Sequence, residues 1–267
     1  MRGEVKLAVR DLQVGYGNIR AVQGVDLEIT TGITALVGAN GAGKSSLVKA
    51  LAGLVPVRSG DVTVPSAGSI LRIPSHRRVR DLGIVLVPEG RGVLPAMTVR
   101  ENLEFGLRVG RRRRDRGLVA RDDVGRIDPL LELFPQLRDR LSSAGRLLSG
   151  GEQQMLSLAR ALACAPSILL IDEPSLGLSP AVVVSLFEAI GAVVERDGIA
   201  LLLIEQDTQA AIGLSDHLYV MERGRISLAG PSAEVALDPA LRAAYLGAGL
   251  GTGAGARAGA TQAVRPA

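Results

Sequence analysis

The chain has 267 residues, of which 47% are hydrophobic, 22% are charged and 2% are aromatic, with 33 Gly and 13 Pro. This apolar content can fill the core of a domain and excludes wholesale disorder, and Ala, Val, Leu and Ile must supply that core. The formal net charge is +4, and arginine supplies almost all of the basic residues, because lysine occurs only as Lys6, Lys44 and Lys49.

Two further features restrict the class of protein. The longest uncharged apolar stretches, near 168–171 and 199–204, are far shorter than the ~20 residues that span a bilayer, and residues 1–12 lack the apolar run of a signal peptide. We therefore expect a soluble protein. Cys164 is the only cysteine, so it cannot form an internal disulfide, and it is expected to be a small buried side chain.

The N-terminal part predicts two strands, then a third strand that leads into a helix. Residues 5–14 and 25–29 alternate in hydropathy around a turn at 15–18. Ile33–Val37 is a short apolar run, a glycine-rich turn follows it, and Lys44–Leu54 has the pattern of a helix. A strand, a glycine loop and a helix in this order form the structural context of a phosphate-binding loop.

The glycine-rich turn itself fits the pattern G-x-x-x-x-G-K-[ST]. Its backbone N–H groups are expected to point at phosphate oxygens, Lys44 to reach the β- and γ-phosphates, and Ser45 to bind Mg²⁺. The residues assigned to ATP in this loop are Gly38, Ala39, Asn40, Gly41, Ala42, Gly43, Lys44, Ser45 and Ser46.

The middle of the chain alternates between turn-rich and helical patterns. Residues 60–74 predict short strands and 83–87 a further apolar strand. Helices are predicted over 99–107, 127–137 and 150–163.

The run Arg111–Arg114 could contact nucleic acid, but it has no interleaved aromatic residues and acidic residues follow it. We interpret it as a solvated loop, with an attraction to anionic lipid as an intermediate possibility.

A second phosphate-binding helix start is predicted at the segment Leu148, Ser149, Gly150, Gly151, Glu152, Gln153 and Gln154. A serine and two glycines open this helix. Because the phosphate loop already has its own helix N-terminus, this second one should serve a nucleotide held by another subunit. An ordinary serine-capped helix would explain Ser149 and Glu152, but not the paired glycines.

Two apolar runs that end in acidic residues complete the set of buried strands. Residues 167–171 and 199–204 have the pattern of strands buried on both faces of a mostly parallel sheet, and 180–195 predicts a helix between them. Asp172 would hold the Mg²⁺ shell at the carboxyl end of its strand, and Glu173 would orient and polarise the attacking water.

The phosphate loop, the 148–154 segment and the Asp172–Glu173 pair, in this order, resemble the ATPase domain of ABC transporters over about residues 5–247. The resemblance implies an α/β fold of the P-loop NTPase class, with a RecA-like core, a mostly parallel sheet, a small antiparallel β subdomain and an inserted α-helical subdomain at about 90–155. It also implies one ATPase domain over 1–247 and stacking of Tyr16 on adenine. Composition alone predicts a disordered Gly/Ala-rich tail over 248–267.

Three departures from the common family pattern indicate which branch of the family this chain resembles. Glu89 stands where most members have a Gln that senses Mg²⁺, Gln206 replaces the switch His, and Ser179 replaces the usual Asp. All three resemble one ATPase subunit of branched-chain amino-acid importers, as do residues 97–103 and 242–247. Glutamine can donate a hydrogen bond but cannot carry a proton, so Glu173 is expected to be the sole general base, with Gln206 positioning.

The resemblance also implies partners and a location. ATP would lie between this chain's phosphate loop and the signature segment of a second, related ATPase subunit; a heterodimer is expected, and a homodimer is the alternative. Two transmembrane permease subunits, an extracytoplasmic substrate-binding protein and a place on the inner face of the membrane complete the expectation, with no nucleic acid. An importer of urea or short amides, an exporter and a non-transport ABC ATPase are the alternative functions.

Overall fold

The computed structural model describes residues 3–90, 92–119 and 126–242. The strands are β1 (Val5–Tyr16), β2 (Ile19–Thr30), β3 (Gly32–Val37), β4 (Val57–Val64), β5 (Gly68–Ser69), β6 (Ile84–Val87), β7 (Ile168–Asp172), β8 (Ala200–Glu205), β9 (His217–Glu222) and β10 (Arg225–Pro231). The α-helices are α1 (Lys44–Leu51), α2 (Ser75–Arg77), α3 (Val99–Asp115), α4 (Asp128–Leu133), α5 (Gly150–Ala163), α6 (Pro180–Asp197), α7 (Thr208–Leu214), α8 (Ser232–Val235) and α9 (Pro239–Leu241).

The N-terminal strands form a four-stranded antiparallel sheet in the order β2-β1-β4-β5. Leu7, Val9, Leu12 and Val14 of β1 are all buried. A register shift between Val9 and Leu12 keeps these apolar side chains on the core face, because an extra residue reverses the alternation.

The second sheet has the order β10-β9-β3-β8-β7-β6. Its neighbouring strands are parallel except for β10, which is antiparallel to β9. Every residue of β7 and β8 is buried, which explains their unbroken apolar runs. The register pairs Val37 with Glu205 and Asp172 with Ile204, so β3, β7 and β8 deliver their carboxyl ends to one edge of the sheet. The α/β fold with a mostly parallel sheet, inferred from the sequence, is thus confirmed.

Helices α3, α4 and α5 lie between β6 and β7 in the chain. The interpretation of Arg111–Arg114 as a solvated loop is wrong, because α3 continues to Asp115 and these four arginines lie within its last five residues. The buried face of α3 runs through Leu103, Leu107 and Gly110, and the same helical period carries Arg113 into the core. Arg113 is 1% exposed, and its neighbours in the run are exposed.

Several predicted boundaries also need correction. Helix α1 ends at Leu51 rather than Leu54, and the helix predicted over 127–137 ends at Leu133, where Pro135–Arg140 continues as a 3₁₀ turn. The hairpin β9–β10 and the helix α7 were not predicted. The predicted tail at 248–267 lies outside the described residues.

Two predictions made from the composition can be compared directly with the structure. Cys164 is buried as expected, and burial raises the pKa of its thiol to about 11. Within the described ranges, none of the helices has both the length and the apolar character needed to cross a bilayer.

Candidate nucleotide-binding site

The phosphate loop joins β3 to α1 and requires glycine at specific points. Gly41 and Gly43 have φ values of 80° and 109°, which side-chain-bearing residues rarely adopt. A Cβ atom on Gly43 would lie 2.2 Å from the carbonyl oxygen of Ala21 in β2. The loop is therefore pressed against the antiparallel sheet, and α1 begins immediately after it at Lys44.

Lys44 is 4% exposed and points back into the loop. Its Nζ donates to the carbonyl oxygen of Gly38 at 2.7 Å and to that of Ala39 at 3.3 Å. The same nitrogen lies 3.5 Å from Oε1 of Glu173. The buried ammonium group is thus held by two carbonyl oxygens of the loop and by the Glu173 carboxylate. A phosphate oxygen of a bound nucleotide would compete with these oxygens for the ammonium group.

Asp172 is the last residue of β7 and is 1% exposed. Its Oδ1 accepts a hydrogen bond from Ser45 Oγ at 3.2 Å, whereas its Oδ2 is buried without a hydrogen-bond donor. Burial raises the pKa of this carboxyl group, and the hydrogen bond from Ser45 opposes that rise. A buried carboxylate oxygen without a partner beside a serine hydroxyl fits a hard cation such as Mg²⁺.

The remaining metal candidate, Glu89, follows β6 and lines the same cleft. Among the described residues, no group of three or more His, Cys, Asp or Glu side chains converges on one point. Mg²⁺ commonly binds through one or two carboxylates together with substrate phosphates, so the Ser45–Asp172 pair is sufficient on the protein side.

Glu173 lies directly after β7 in a backbone conformation that is rare for a side-chain-bearing residue, with φ of 49°. Its Oε2 accepts a hydrogen bond from the side-chain amide of Gln206, and its Oε1 faces Lys44. Both oxygens of the candidate general base are therefore held by side chains from the ends of other elements.

Glu205, the last residue of β8, is a buried carboxylate that the sequence analysis missed. It accepts from the backbone N–H and the hydroxyl of Ser175, at 3.1 and 2.8 Å, and from the backbone N–H of Gln206 at 3.3 Å. Burial raises its pKa, and the hydrogen bonds from Ser175 oppose the rise. Glu205 thus joins the segment after Glu173 to the segment that carries Gln206.

A cleft of about 490 Å³ brings most of the predicted ATP-site residues together. Its lining comprises Ile19, Arg20, Ala21, Asn40, Gly41, Ala42, Gly43, Lys44, Ser45, Ser46, Glu89, Glu173, Leu176 and Gln206. Tyr16 does not line it; this residue pairs with Ile19 at the end of β1 and is 45% exposed. Arg20 and Leu176 line the cleft without having been predicted, because nothing in their local sequence marks them.

The signature segment forms a second cleft, of about 730 Å³, that shares no lining residue with the first. Ser149 caps α5 by accepting from the N–H of Glu152, and Glu152 accepts in return from the N–H of Ser149. These hydrogen bonds lower the pKa of Glu152, to which Arg140 also donates at 3.1 Å. Ser149, Gly150, Gly151 and Glu152 line this cleft, while Leu148 is buried and Gln153 donates to the carbonyl oxygen of Gly145. The capped N-terminus of α5 thus lines a cleft to which this chain's own phosphate loop contributes no residue.

Comparison with known proteins agrees with this geometry. Residues 22–176 match the family model described as ABC transporter. The chain is 40% identical over 234 residues to the high-affinity branched-chain amino acid transport ATP-binding protein BraG of Pseudomonas aeruginosa, covering 86% of this chain and 95% of that protein. It is 36% identical over 226 residues to the probable branched-chain amino acid transport ATP-binding protein LivF of Archaeoglobus fulgidus, with coverage of 84% and 91%.

Solved structures give the same result at the level of the fold. The ATP-binding subunit of an ABC transporter superposes with a TM-score of 0.74 at 28% identity, covering 90% of this chain and 96% of that one. An ADP conformation of an ATP-binding cassette gives a TM-score of 0.74 at 25% identity, with coverage of 91% and 99%. The chain belongs to the ABC transporter family, as an ATP-hydrolysing, nucleotide-binding member.

Proposed function

We propose that this chain powers an importer of branched-chain amino acids by hydrolysing ATP in the cleft at the carboxyl ends of β3 and β7. The observation that carries the proposal is the convergence of Lys44, Glu173 and Gln206 in one cleft. Asp172 lies directly behind this cleft and accepts a hydrogen bond from Ser45, which lines it. The substrate is inferred from the two relatives named for branched-chain amino acid transport. The same choice of substrate is supported at three motif positions, where Glu89, Ser179 and Gln206 resemble the residues of one ATPase subunit of such importers.

The phosphate loop binds the triphosphate. Backbone N–H groups of residues 38–46 and the N-terminus of α1 would face the phosphate oxygens. Lys44 would exchange its contacts with Gly38, Ala39 and Glu173 for the β- and γ-phosphates, which offer stronger acceptors than carbonyl groups. This exchange also releases Oε1 of Glu173.

Ser45 and Asp172 would hold Mg²⁺, with Glu89 nearby in the same cleft. When bound, Mg²⁺ neutralises negative charge that develops on the phosphates. A cation beside Asp172 would satisfy the buried Oδ2 oxygen and keep the carboxyl group ionised despite its burial.

Glu173 would accept a proton from the attacking water as the water oxygen bonds to the γ-phosphorus. The bond between that phosphorus and the β,γ-bridging oxygen breaks in the same displacement, which releases ADP and phosphate. Gln206 would fix the orientation of the Glu173 carboxylate and then hydrogen-bond to the γ-phosphate, but its amide cannot take part in proton transfer. Glu205 would keep the segments around Ser175 and Gln206 in register while Glu173 acts.

The signature cleft would cover ATP bound to a second cassette, and that cassette's signature would cover ATP bound here. A related but non-identical chain is the proposed partner. Two permease subunits would contact the region of Glu89 and the helical segment at 97–140, and an extracytoplasmic binding protein would deliver the amino acid. This arrangement places the chain on the inner face of the cell membrane, as one ATPase domain over residues 1–247.

Uptake of labelled leucine and of labelled urea by cells that lack this chain tests the proposal. Leucine uptake should fall and should return with the wild-type chain, but not with Glu173→Gln. Glu188→Gln, an exposed carboxylate on α6, is the matched control and should restore uptake. Loss of urea uptake with unchanged leucine uptake would reassign the substrate, and leucine retention caused by the deletion would indicate an exporter instead.

A further inference from the structure

The C-terminal half of α3 carries a concentration of positive charge that the nucleotide site does not use. Arg108, Arg111 and Arg112 are exposed on the helix, and Phe105, 57% exposed, lies one turn before them. Residues spaced by three and four positions share a helix face, so these four side chains form one surface, which we call the basic face.

An adjoining cluster extends the positive surface. Within the part of the chain that the structure describes, Asp81 is the one acidic partner of three guanidinium groups in this cluster, at 3.3 Å from Arg77, 2.9 Å from Arg80 and 2.6 Å from Arg116. One carboxylate cannot neutralise three cations, so the cluster keeps a surplus of positive charge. Arg116 follows α3 directly, which places this surplus next to the basic face.

Arg113 fixes the basic face to the rigid part of the molecule. Its guanidinium group donates to the carbonyl oxygens of Val79, Arg80 and Ala165 at 3.2–3.3 Å, and to Ser167 Oγ at 3.1 Å. Ala165 and Ser167 lie just before β7, and Val79 and Arg80 lie within the π-helical turn Arg78–Leu82 that precedes β6. The exposed arginines are therefore carried on an anchored helix rather than on a loop.

The basic face also lies away from both clefts. Arg113 contacts the residues just before β7, whereas Asp172 ends that strand, about 16 Å further along for five residues. Ala165 follows the end of α5, whereas Ser149 caps its beginning, about 21 Å away for 14 residues. A large ligand on the basic face can thus bind without covering either nucleotide-facing surface.

We propose that the basic face of α3 is a docking surface for an anionic lipid bilayer. A convex helix with several arginines and an exposed phenylalanine at its edge matches a charged plane into which an aromatic ring can insert. Among the described residues of this surface, Phe105 is the single aromatic side chain, so the surface does not offer the series of stacking rings that binds single-stranded nucleic acid. Bilayer contact would orient the cassette beneath its membrane subunits, in addition to docking on them.

Flotation of the purified full chain with lipid vesicles at physiological ionic strength tests this surface. The chain should float with vesicles of mixed phosphatidylglycerol and phosphatidylcholine and stay behind with pure phosphatidylcholine. Each basic residue near an anionic surface contributes roughly a factor of five to binding, so Arg108→Gln/Arg112→Gln should bind about 25-fold more weakly. Phe105→Ala should weaken binding by a smaller factor.

The double variant Arg72→Gln/Arg225→Gln removes the same charge from exposed positions elsewhere and should bind like wild type. Thermal unfolding checks that every variant is folded. Absence of wild-type binding to the anionic vesicles, or equal loss in both double variants, would overturn the proposal. The proposal would also be overturned if duplex DNA or RNA displaced the chain from the vesicles and if Arg108→Gln/Arg112→Gln weakened the binding of the chain to that nucleic acid. The assay contains no ATP and no permease, so its failure would leave the transport proposal untouched.

Discussion

Gln206 donates a hydrogen bond from its side-chain amide to Oε2 of Glu173, across a separation of 33 residues in the chain. The contact forms because β7 and β8 are neighbours in the parallel sheet and end at the same edge. Lys44 faces the other oxygen of the same carboxylate. The candidate base, the candidate phosphate-binding lysine and the switch-position glutamine therefore form one connected group.

Replacement of Glu173 by Gln should abolish ATP turnover while ATP still binds. The amide keeps the shape of the side chain but cannot accept the proton of water, a loss that costs roughly 10²- to 10⁴-fold in rate. Steady-state phosphate release and equilibrium ATP binding measure the two effects separately. Normal hydrolysis by this variant would remove Glu173 from its assigned role, and Glu188→Gln on the exposed face of α6 serves as control.

Replacement of Gln206 by Ala should lower kcat much more than it changes KM. A hydrogen bond to a charged group contributes about 1.5–3 kcal/mol, so a loss of roughly 10- to 100-fold in kcat is expected. Gln206→His should retain more activity, because an imidazole can also donate a hydrogen bond. An alanine variant with wild-type kcat would show that the Gln206–Glu173 contact does not position the base.

Glu205 should give the stability of the chain a specific pH dependence. Burial raises its pKa in the folded state, so its contribution is fully present below the ordinary value of about 4.3 and is lost as the pH rises through the raised folded value. Glu205→Gln removes this titration. The stability of wild type relative to the variant should therefore decline from acidic towards neutral pH, on top of a constant offset from the altered contact with Ser175.

Chemical denaturation of both proteins across that pH range measures the difference. A constant difference between wild type and Glu205→Gln would mean that the Glu205 carboxyl group titrates alike in the folded and unfolded chains. Glu222→Gln, at an exposed position at the end of β9, removes a carboxylate elsewhere in the chain and provides the matched control for the loss of one charge.

Arg113→Met should destabilise the chain by about 2–4 kcal/mol, because it leaves several buried oxygen acceptors without a donor. Arg112→Met, at the exposed neighbouring position, should change stability by less than about 0.5 kcal/mol. Urea unfolding of both variants measures the contrast. Equal effects would contradict the anchoring role of the Arg113 guanidinium group.

The phosphate loop, the buried strands and the signature helix could be predicted from the sequence because each is a local pattern. Gly43 and Lys44 lie within one motif, and β7 is a continuous apolar run. The hairpin of β9 and β10 gave a weaker signal, because Arg223 and Gly224 form its turn in place of the more typical Asn-Gly.

Other features depended on tertiary structure. Glu205 reaches Ser175 only because of the order of strands in the sheet, so no local pattern marked it. The burial of Arg113 could have been found, since it continues the stripe of Leu103, Leu107 and Gly110. The charge of Arg113 suggested that its side chain is exposed. The hydrogen bonds that offset the cost of burying this charge come from residues distant in sequence.

Equilibrium binding of ATP with Mg²⁺ to the purified full chain, with Lys44→Ala measured alongside, tests the nucleotide assignment most directly. The wild-type chain should bind ATP, and Lys44→Ala, which retains the loop but loses its buried ammonium group, should bind at least tenfold more weakly. A folded wild-type chain that does not bind ATP, or a Lys44→Ala variant that binds it equally well, would contradict the assignment of this cleft.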